Sequence, residues 1–131
     1  MGGRSIAPTF APDSEQHPEE LWGVEDPRIT YVPELKQYAV AYTSYSRGGP
    51  GVSLALTKDF RAFERLGVIM SPDDKDAALL PRRINGFWAL IHRPMTPLGA
   101  HVWISIPVSS VILNRLEPDP GRITVTFWRI V

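Results

Sequence analysis

The 131-residue sequence predicts an all-β fold, about two four-stranded antiparallel blades of a β-propeller. Three observations carry this. Strand-type residues dominate, with no convincing helical segment. Thirteen prolines and ten glycines cut the chain into short elements. The chain also resembles itself after a shift of 50 positions.

The elements follow in order. Arg28-Ile29-Thr30-Tyr31-Val32 is rich in β-branched and aromatic residues and reads as a strand. Pro33-Glu34-Leu35-Lys36 reads as a turn, and Gln37 to Thr43 as the returning strand. The cluster Gly48-Gly49-Pro50-Gly51 ends that hairpin, Val52 to Leu56 forms a third strand, and Arg65 to Met70 a fourth. Between them, Asp59 to Arg65 has room for one helical turn at most.

Under the 50-residue shift Asp26 falls on Asp76, and Tyr38-Ala39-Val40-Ala41 falls on Trp88-Ala89-Leu90-Ile91. Gly49 falls on Gly99, and Val52 to Leu56 on Val102 to Ile106. Four short strands in a repeat of about 50 residues are what a propeller blade requires. Two β-hairpins also resemble each other for no deeper reason, so the repeat alone does not decide. The self-similarity ends after Ile106: Pro107-Val108-Ser109-Ser110 shares nothing with Thr57-Lys58-Asp59-Phe60. The tail from Pro107 to Val131 has strand-like content, such as Ile123-Thr124-Val125-Thr126-Phe127, but matches neither copy. Two blades do not close a ring, and their free edges invite pairing with other strands.

Composition narrows the function classes. At 44% hydrophobic residues a packed core is affordable, and the length suits one domain. Fourteen basic and fourteen acidic residues give zero net charge, which argues against nucleic acid or an anionic membrane as the main partner. There is no cysteine for disulfides or thiolate metal sites, and His17, His92 and His101 are too scattered for a metal cluster. No stretch approaches the roughly 20 apolar residues of a membrane span, and Met1-Gly2-Gly3-Arg4 lacks a secretory apolar run, so a cytoplasmic location is expected.

The segment Gly23-Val24-Glu25-Asp26-Pro27-Arg28-Ile29 resembles the signature of glycoside hydrolase family 130, which includes β-mannoside phosphorylases and some β-mannosidases. Further landmarks come in the family's order. Ile6-Ala7-Pro8 and Glu19-Glu20 resemble the approach to the signature, and Leu54 to Phe60 the strand and turn that close a blade. Asp74-Lys75-Asp76-Ala77-Ala78-Leu79-Leu80-Pro81 resembles the opening of the next blade. Ile84-Asn85-Gly86 through Ile91-His92-Arg93-Pro94 resembles its hairpin and the basic residues after it. The resemblance covers residues 6–106 and implies about two blades of a five-bladed propeller whose active site lies on the central axis. Residues 107–131 stand outside it, as a frameshift near codon 107 would leave them.

The resemblance implies roles for particular residues. Asp26 is the expected catalytic acid, its proton relayed through a sugar hydroxyl to the leaving oxygen. With inorganic phosphate as nucleophile no second carboxylate is needed, and a single displacement inverts the anomeric carbon. Taken alone, Asp26-Pro27 reads equally well as a turn or a strand-start cap. Lys75 and Arg93 are the expected phosphate ligands, brought together by a hairpin, with His92 beside Arg93 as a further donor. Arg28 either pairs with acidic neighbours or lines the sugar site, Glu25 either orients Asp26 or caps the strand, and Asp76 either pairs with Lys75 or binds sugar hydroxyls. Tyr42, Tyr45 and Trp103 are candidate sugar-stacking surfaces or packed core, and Arg82-Arg83 reads as a solvated pair.

Three functions fit these readings. The first is inverting phosphorolysis of β-mannosides to mannose 1-phosphate, with a β-mannoside oligosaccharide and phosphate as partners and no metal or organic cofactor. The second is hydrolysis of the same bonds, which would dispense with a basic pocket. The third is an inactive carbohydrate-binding or interaction remnant, joined through its blade edges to another copy or a complementing chain. An axial site draws on several blades, so the chain by itself is expected to be poorly active.

Overall fold

The computed structural model describes residues 10–97 and 99–105, with residues 127–129 as one further short strand. Among the described residues a single 3-10 turn, Pro18–Glu20, precedes nine strands. The first sheet contains β1 (Gly23–Val32), β2 (Gln37–Ser46), β3 (Gly49–Thr57) and β4 (Glu64–Met70), paired in chain order. The second contains β5 (Asp74–Leu79), β6 (Leu90–Thr96), β8 (Trp103–Ser105) and β9 (Phe127–Arg129), while β7 (Gly99–Ala100) pairs with the end of β6. All strand pairings among the described residues are antiparallel, and each sheet is a meander of the propeller-blade type. Ile123 to Thr126 and Ile6 to Pro8 lie outside the described residues.

The internal repeat holds pair by pair. Glu25 faces Thr43 and Arg28 faces Ala41 in the first sheet; Lys75 faces Arg93 and Ala78 faces Ile91 in the second. Tyr42 opposite Ser53 and Ala41 opposite Leu54 recur as His92 opposite Trp103 and Ile91 opposite Ile104. Ser46 opposite Gly49 recurs as Thr96 opposite Gly99, and both glycines have positive φ, +99° and +109°. In every case the second pair is the first plus 50. The fourth strand departs from this rule. Ile104 corresponds to Leu54, whose partner is Gly67, yet it pairs with Trp128 rather than residue 117.

Burial explains the strand compositions. One apolar cluster joins the two sheets, with Val32, Ala41, Leu54 and Leu56 packed against Leu79, Trp88 and Leu90. A smaller one covers the opposite face of the first sheet, where Val40, Tyr42 and Ala55 meet Phe10, Val24 and Phe63. Both faces of β2 are therefore covered, and Ala39 to Ser44 are buried without interruption. That accounts for the continuous run of small and apolar residues where a one-sided strand would alternate. The second hairpin turns on Asn85 and Gly86, both at positive φ, the backbone a tight two-residue turn needs. Strand β6 consequently starts at Leu90, two residues later than the matching of Trp88 with Tyr38 implies. Between β3 and β4 there is no helical turn. Thr57 Oγ1 accepts from the Phe60 N–H at 3.0 Å, and Asp59 accepts from the N–H groups of Arg61 and Ala62. Those two donors hold the Asp59 carboxyl below the ordinary carboxylate range.

Arg83 is not a solvated side chain. Its Nε donates to both carboxylate oxygens of Glu34, Nη1 donates to the Gly86 carbonyl, and its guanidinium lies 4.7 Å from the Trp88 ring centre. It thereby ties the first turn of one blade to the first turn of the next.

Candidate active site

The first strand of each sheet carries the same irregularity. Between the pairs Glu25–Thr43 and Arg28–Ala41, two residues of β1 oppose one of β2. Between Lys75–Arg93 and Ala78–Ile91, two residues of β5 oppose one of β6. These are β-bulges, which re-aim side chains on an edge strand. Asp26 and Asp76 occupy the same place in them, with φ of +51° and +53°. In β1 the next residue is Pro27, which has no N–H to give to the ladder, so a bulge on an edge strand is where it is tolerated. The residue facing each bulge is a buried polar side chain held by a carboxylate. The Tyr42 hydroxyl donates to Glu20 Oε1 at 2.7 Å, and His92 Nδ1 lies 2.6 Å from Asp74 Oδ2.

The two aspartates differ in their surroundings. Asp76 is paired with Arg93, whose Nε donates to Oδ2 at 2.7 Å and whose Nη2 contacts the same oxygen. Asp26 is exposed, and no side chain among the described residues pairs with it. The position that would supply such a partner in the first blade, 50 residues before Arg93, holds the buried Thr43. A carboxylate fixed against a guanidinium is not free to reach a glycosidic oxygen, so Asp26 is the better placed of the two for acid chemistry.

Lys75 and Arg93 are direct cross-strand neighbours, as a hairpin allows. Lys75 opens into a cleft of about 370 Å³ that is also lined by Trp22, Glu25 and Tyr45. Glu25 and Lys75 are repeat equivalents, so the two blades present opposite charges to one cavity. Glu25 also borders a second cleft of about 320 Å³, mostly apolar, walled by Pro27, Ile29, Phe60 and Phe63. Arg28 is exposed beyond the bulge, with only a long 3.5 Å contact from Nη1 to the Pro27 carbonyl.

His92 lies beneath the site, not in the cleft. It is 3% exposed, and both ring nitrogens are engaged: Nδ1 with Asp74, and Nε2 with Ser105 Oγ at 2.6 Å. An imidazole set between a carboxylate and a hydroxyl bridges the two through its two ring nitrogens. The chain links β5, β6 and β8 directly under Arg93. Tyr42 is likewise a core residue, and its burial, followed by the hydrogen bond and charge of Glu20, pushes its phenol above the ordinary tyrosine value. Tyr45, by contrast, is on the cleft wall, and Trp103 is half-buried. The sequence reading did not single out Trp22 or Ser105. Glu25 had one available signal, since the 50-residue shift lays it on Lys75. Among the described residues no group of three or more His, Cys, Asp or Glu side chains is placed to hold a metal ion.

The model of the family described as β-1,4-mannooligosaccharide phosphorylase matches residues 4–124. The chain belongs to glycoside hydrolase family 130. The match takes in both bulged strands, the cleft and part of the segment after Ile106. A β-1,2-mannobiose phosphorylase of Listeria innocua is 34% identical over 88 residues, which are 66% of this chain and 24% of that protein. A 1,2-β-oligomannan phosphorylase of a Thermoanaerobacter species is 35% identical over 89 residues, 66% of this chain and 28% of that protein. The solved β-1,2-mannobiose phosphorylase of Listeria innocua, in complex with β-1,2-mannobiose, superposes with a TM-score of 0.66 at 32% identity. That superposition covers 77% of this chain and 28% of the solved one. The family 130 chain described here thus spans about a quarter of the length of the curated relatives it matches. Its fold is part of a β-propeller, and no described helix is long and apolar enough to cross a membrane.

Proposed function

We propose that this chain carries the acid and part of the phosphate site of an inverting β-mannoside phosphorylase that releases mannose 1-phosphate. The observation that supports this reading best is the contrast between equivalent positions: Asp26 is unpaired on its bulge, while Lys75 opens into the adjoining cleft. In the reaction, phosphate attacks the anomeric carbon as the glycosidic bond breaks. The proton of Asp26, passed through a sugar hydroxyl, goes to the leaving oxygen. Lys75 supplies a compact positive charge to the phosphate. Arg93 supplies directional donors, because contacting Asp76 through Nε and Nη2 leaves Nη1 and the outer Nη2 hydrogen unused. His92, locked between Asp74 and Ser105, serves the phosphate group from below by fixing Arg93's strand. Arg28, beyond the bulge, faces the sugar. The relatives' names include both β-1,2 and β-1,4 linkages, and the residues of the cleft do not choose between them.

Phosphate binding tests the reading, since the chain alone is expected to turn over poorly. In a 31P NMR titration of the full chain, Lys75→Ala and Arg93→Ala should each weaken phosphate by about tenfold or more, the worth of a charge-assisted hydrogen bond. Asp26→Asn should leave that affinity nearly unchanged and abolish any phosphate-dependent mannose 1-phosphate formed from β-mannobiose. Unchanged phosphate affinity in both basic-residue variants would refute the proposal.

A further inference from the structure

The cleft that Lys75 opens into also presents an exposed aromatic surface. Trp22 is 58% exposed and Tyr45 is 40% exposed. The backbone beneath the two rings is hydrogen-bonded, and the rings touch each other. The Trp22 N–H donates to the Tyr45 carbonyl at 2.8 Å, which extends the β1–β2 ladder one step beyond Gly23. The two rings meet at a centroid distance of 5.5 Å and a tilt of 46°. Gly23, between Trp22 and the rest of β1, has φ of +130°, and apart from its chain neighbours a Cβ there would meet nothing within 4 Å. Glu25 and Lys75 line the same cavity. It thus combines an exposed pair of touching rings with one hydrogen-bond acceptor and one donor of opposite charge.

From this geometry we infer that Trp22 and Tyr45 form a stacking platform for a pyranose ring and select β-linked over α-linked mannosides. The inference rests on the mannoside reading above. In a β-mannopyranoside the axial 2-hydroxyl lies on one face of the ring. The opposite face carries only the axial hydrogens of C1, C3 and C5. That apolar face suits the negative face of an aromatic ring, while the equatorial hydroxyls reach outward to Glu25 and Lys75. In the α-anomer the axial anomeric oxygen projects from that same face and holds the sugar off the platform. A volume of about 370 Å³ lies within the range of small-ligand pockets.

The test is an NMR titration of the full chain, following the tryptophan indole N–H signals, with Trp22→Phe assigning the signal of residue 22. The probes are methyl β-D-mannopyranoside, methyl α-D-mannopyranoside and inorganic phosphate, each added separately. The β-mannoside should shift the Trp22 signal and bind about tenfold more tightly than the α-anomer. Trp22→Ala and Tyr45→Ala should remove that preference, whereas Trp22→Phe keeps it. Both rings are exposed, so truncation leaves the core intact, and retained dispersion of the remaining signals checks this. Equal affinity for the two anomers, or a preference that survives Trp22→Ala, overturns the platform. If phosphate binding at Lys75 and Arg93 persists in that case, the phosphorylase reading stands without it. Absence of binding by both sugar and phosphate overturns both.

Discussion

Replacing His92 by alanine probes the buried chain beneath Arg93. Asp74 is 3% exposed, and its Oδ1 already has no hydrogen-bond partner among the described residues, so His92 is the sole partner of its carboxylate there. His92→Ala leaves a buried carboxylate with neither oxygen satisfied, which costs about 3–5 kcal/mol before any cavity contribution. Ser105→Ala removes one hydroxyl and leaves one ring nitrogen unsatisfied, a cost of about 1–3 kcal/mol. Asp74→Ala removes the charge that His92 answers, so the double variant Asp74→Ala/His92→Ala should be less destabilised than the sum of the two single variants. The expected coupling is about 2 kcal/mol. Urea unfolding of the native chain and the four variants, followed by near-ultraviolet circular dichroism, measures each quantity. If His92→Ala costs no more than Ser105→Ala, or if the Asp74 and His92 effects simply add, then the histidine is a packed side chain and not the clamp of a buried carboxylate.

The remaining predictions concern the first blade. Glu20 is fully buried and accepts from Tyr42 Oη, Arg65 Nε and the Asp13 N–H, so Glu20→Ala should destabilise the chain by about 3–5 kcal/mol in urea unfolding, more than Tyr42→Phe at about 1 kcal/mol. The Tyr42 phenol is raised above the ordinary value of 10.0 when folded, chiefly by burial and then by Glu20, against the opposing charge of Arg65. Its contribution is therefore complete below pH 10 and declines as the pH rises further, where the unfolded phenol loses its proton first; thermal melts between pH 9 and 11 should fall more steeply for the native chain than for Tyr42→Phe. Gly49→Ala should cost about 2 kcal/mol or more, because φ is +99° and a Cβ would stand 2.5 Å from Asp73 Oδ1. Gly23→Ala, with open space around it, should cost less in the same assay.

The repeat was the most legible feature because propeller blades conserve backbone geometry more than chemistry. Aligning Asp26 with Asp76 and Gly49 with Gly99 picked out four residues that all have positive φ, a backbone state few side chains accept. In the first blade the turn at Pro33 to Lys36 was readable, but β1 starts at Gly23 rather than Arg28, β2 runs on to Ser46 rather than Thr43, and Gly49-Pro50-Gly51, expected as turn, opens β3. The second blade was less readable, since its Asn85-Gly86 turn draws Trp88 and Ala89 out of the strand. Tyr42 and Tyr45 could not be told apart in advance. On a strand covered on both faces, alternation carries no information about which tyrosine reaches solvent. The Asp74–His92–Ser105 chain was hidden for a different reason. Its members are separated by 18 and 13 residues, and only the pairing of β5 with β6 and of β6 with β8 brings them together.

What distinguishes the site from the rest of the fold is the divergence of positions that the repeat makes equivalent. Both blades have the same bulge, and each places an aspartate at its tip. Identical bulges with identical neighbours would present two similar carboxylates and no chemical direction. Three substitutions between equivalent positions remove that symmetry. Glu25 becomes Lys75, so the shared cleft acquires a cation. Thr43 becomes Arg93, so the second aspartate is paired while the first is left bare. Tyr42 becomes His92, which exchanges a phenol bonded to Glu20 for an imidazole that bridges two strands. The phosphorylase reading proposed for this site asks an acid and an anion-binding group to share a site without neutralising each other. On that reading the two would lie on different blades, with Asp76 engaging one edge of the Arg93 guanidinium.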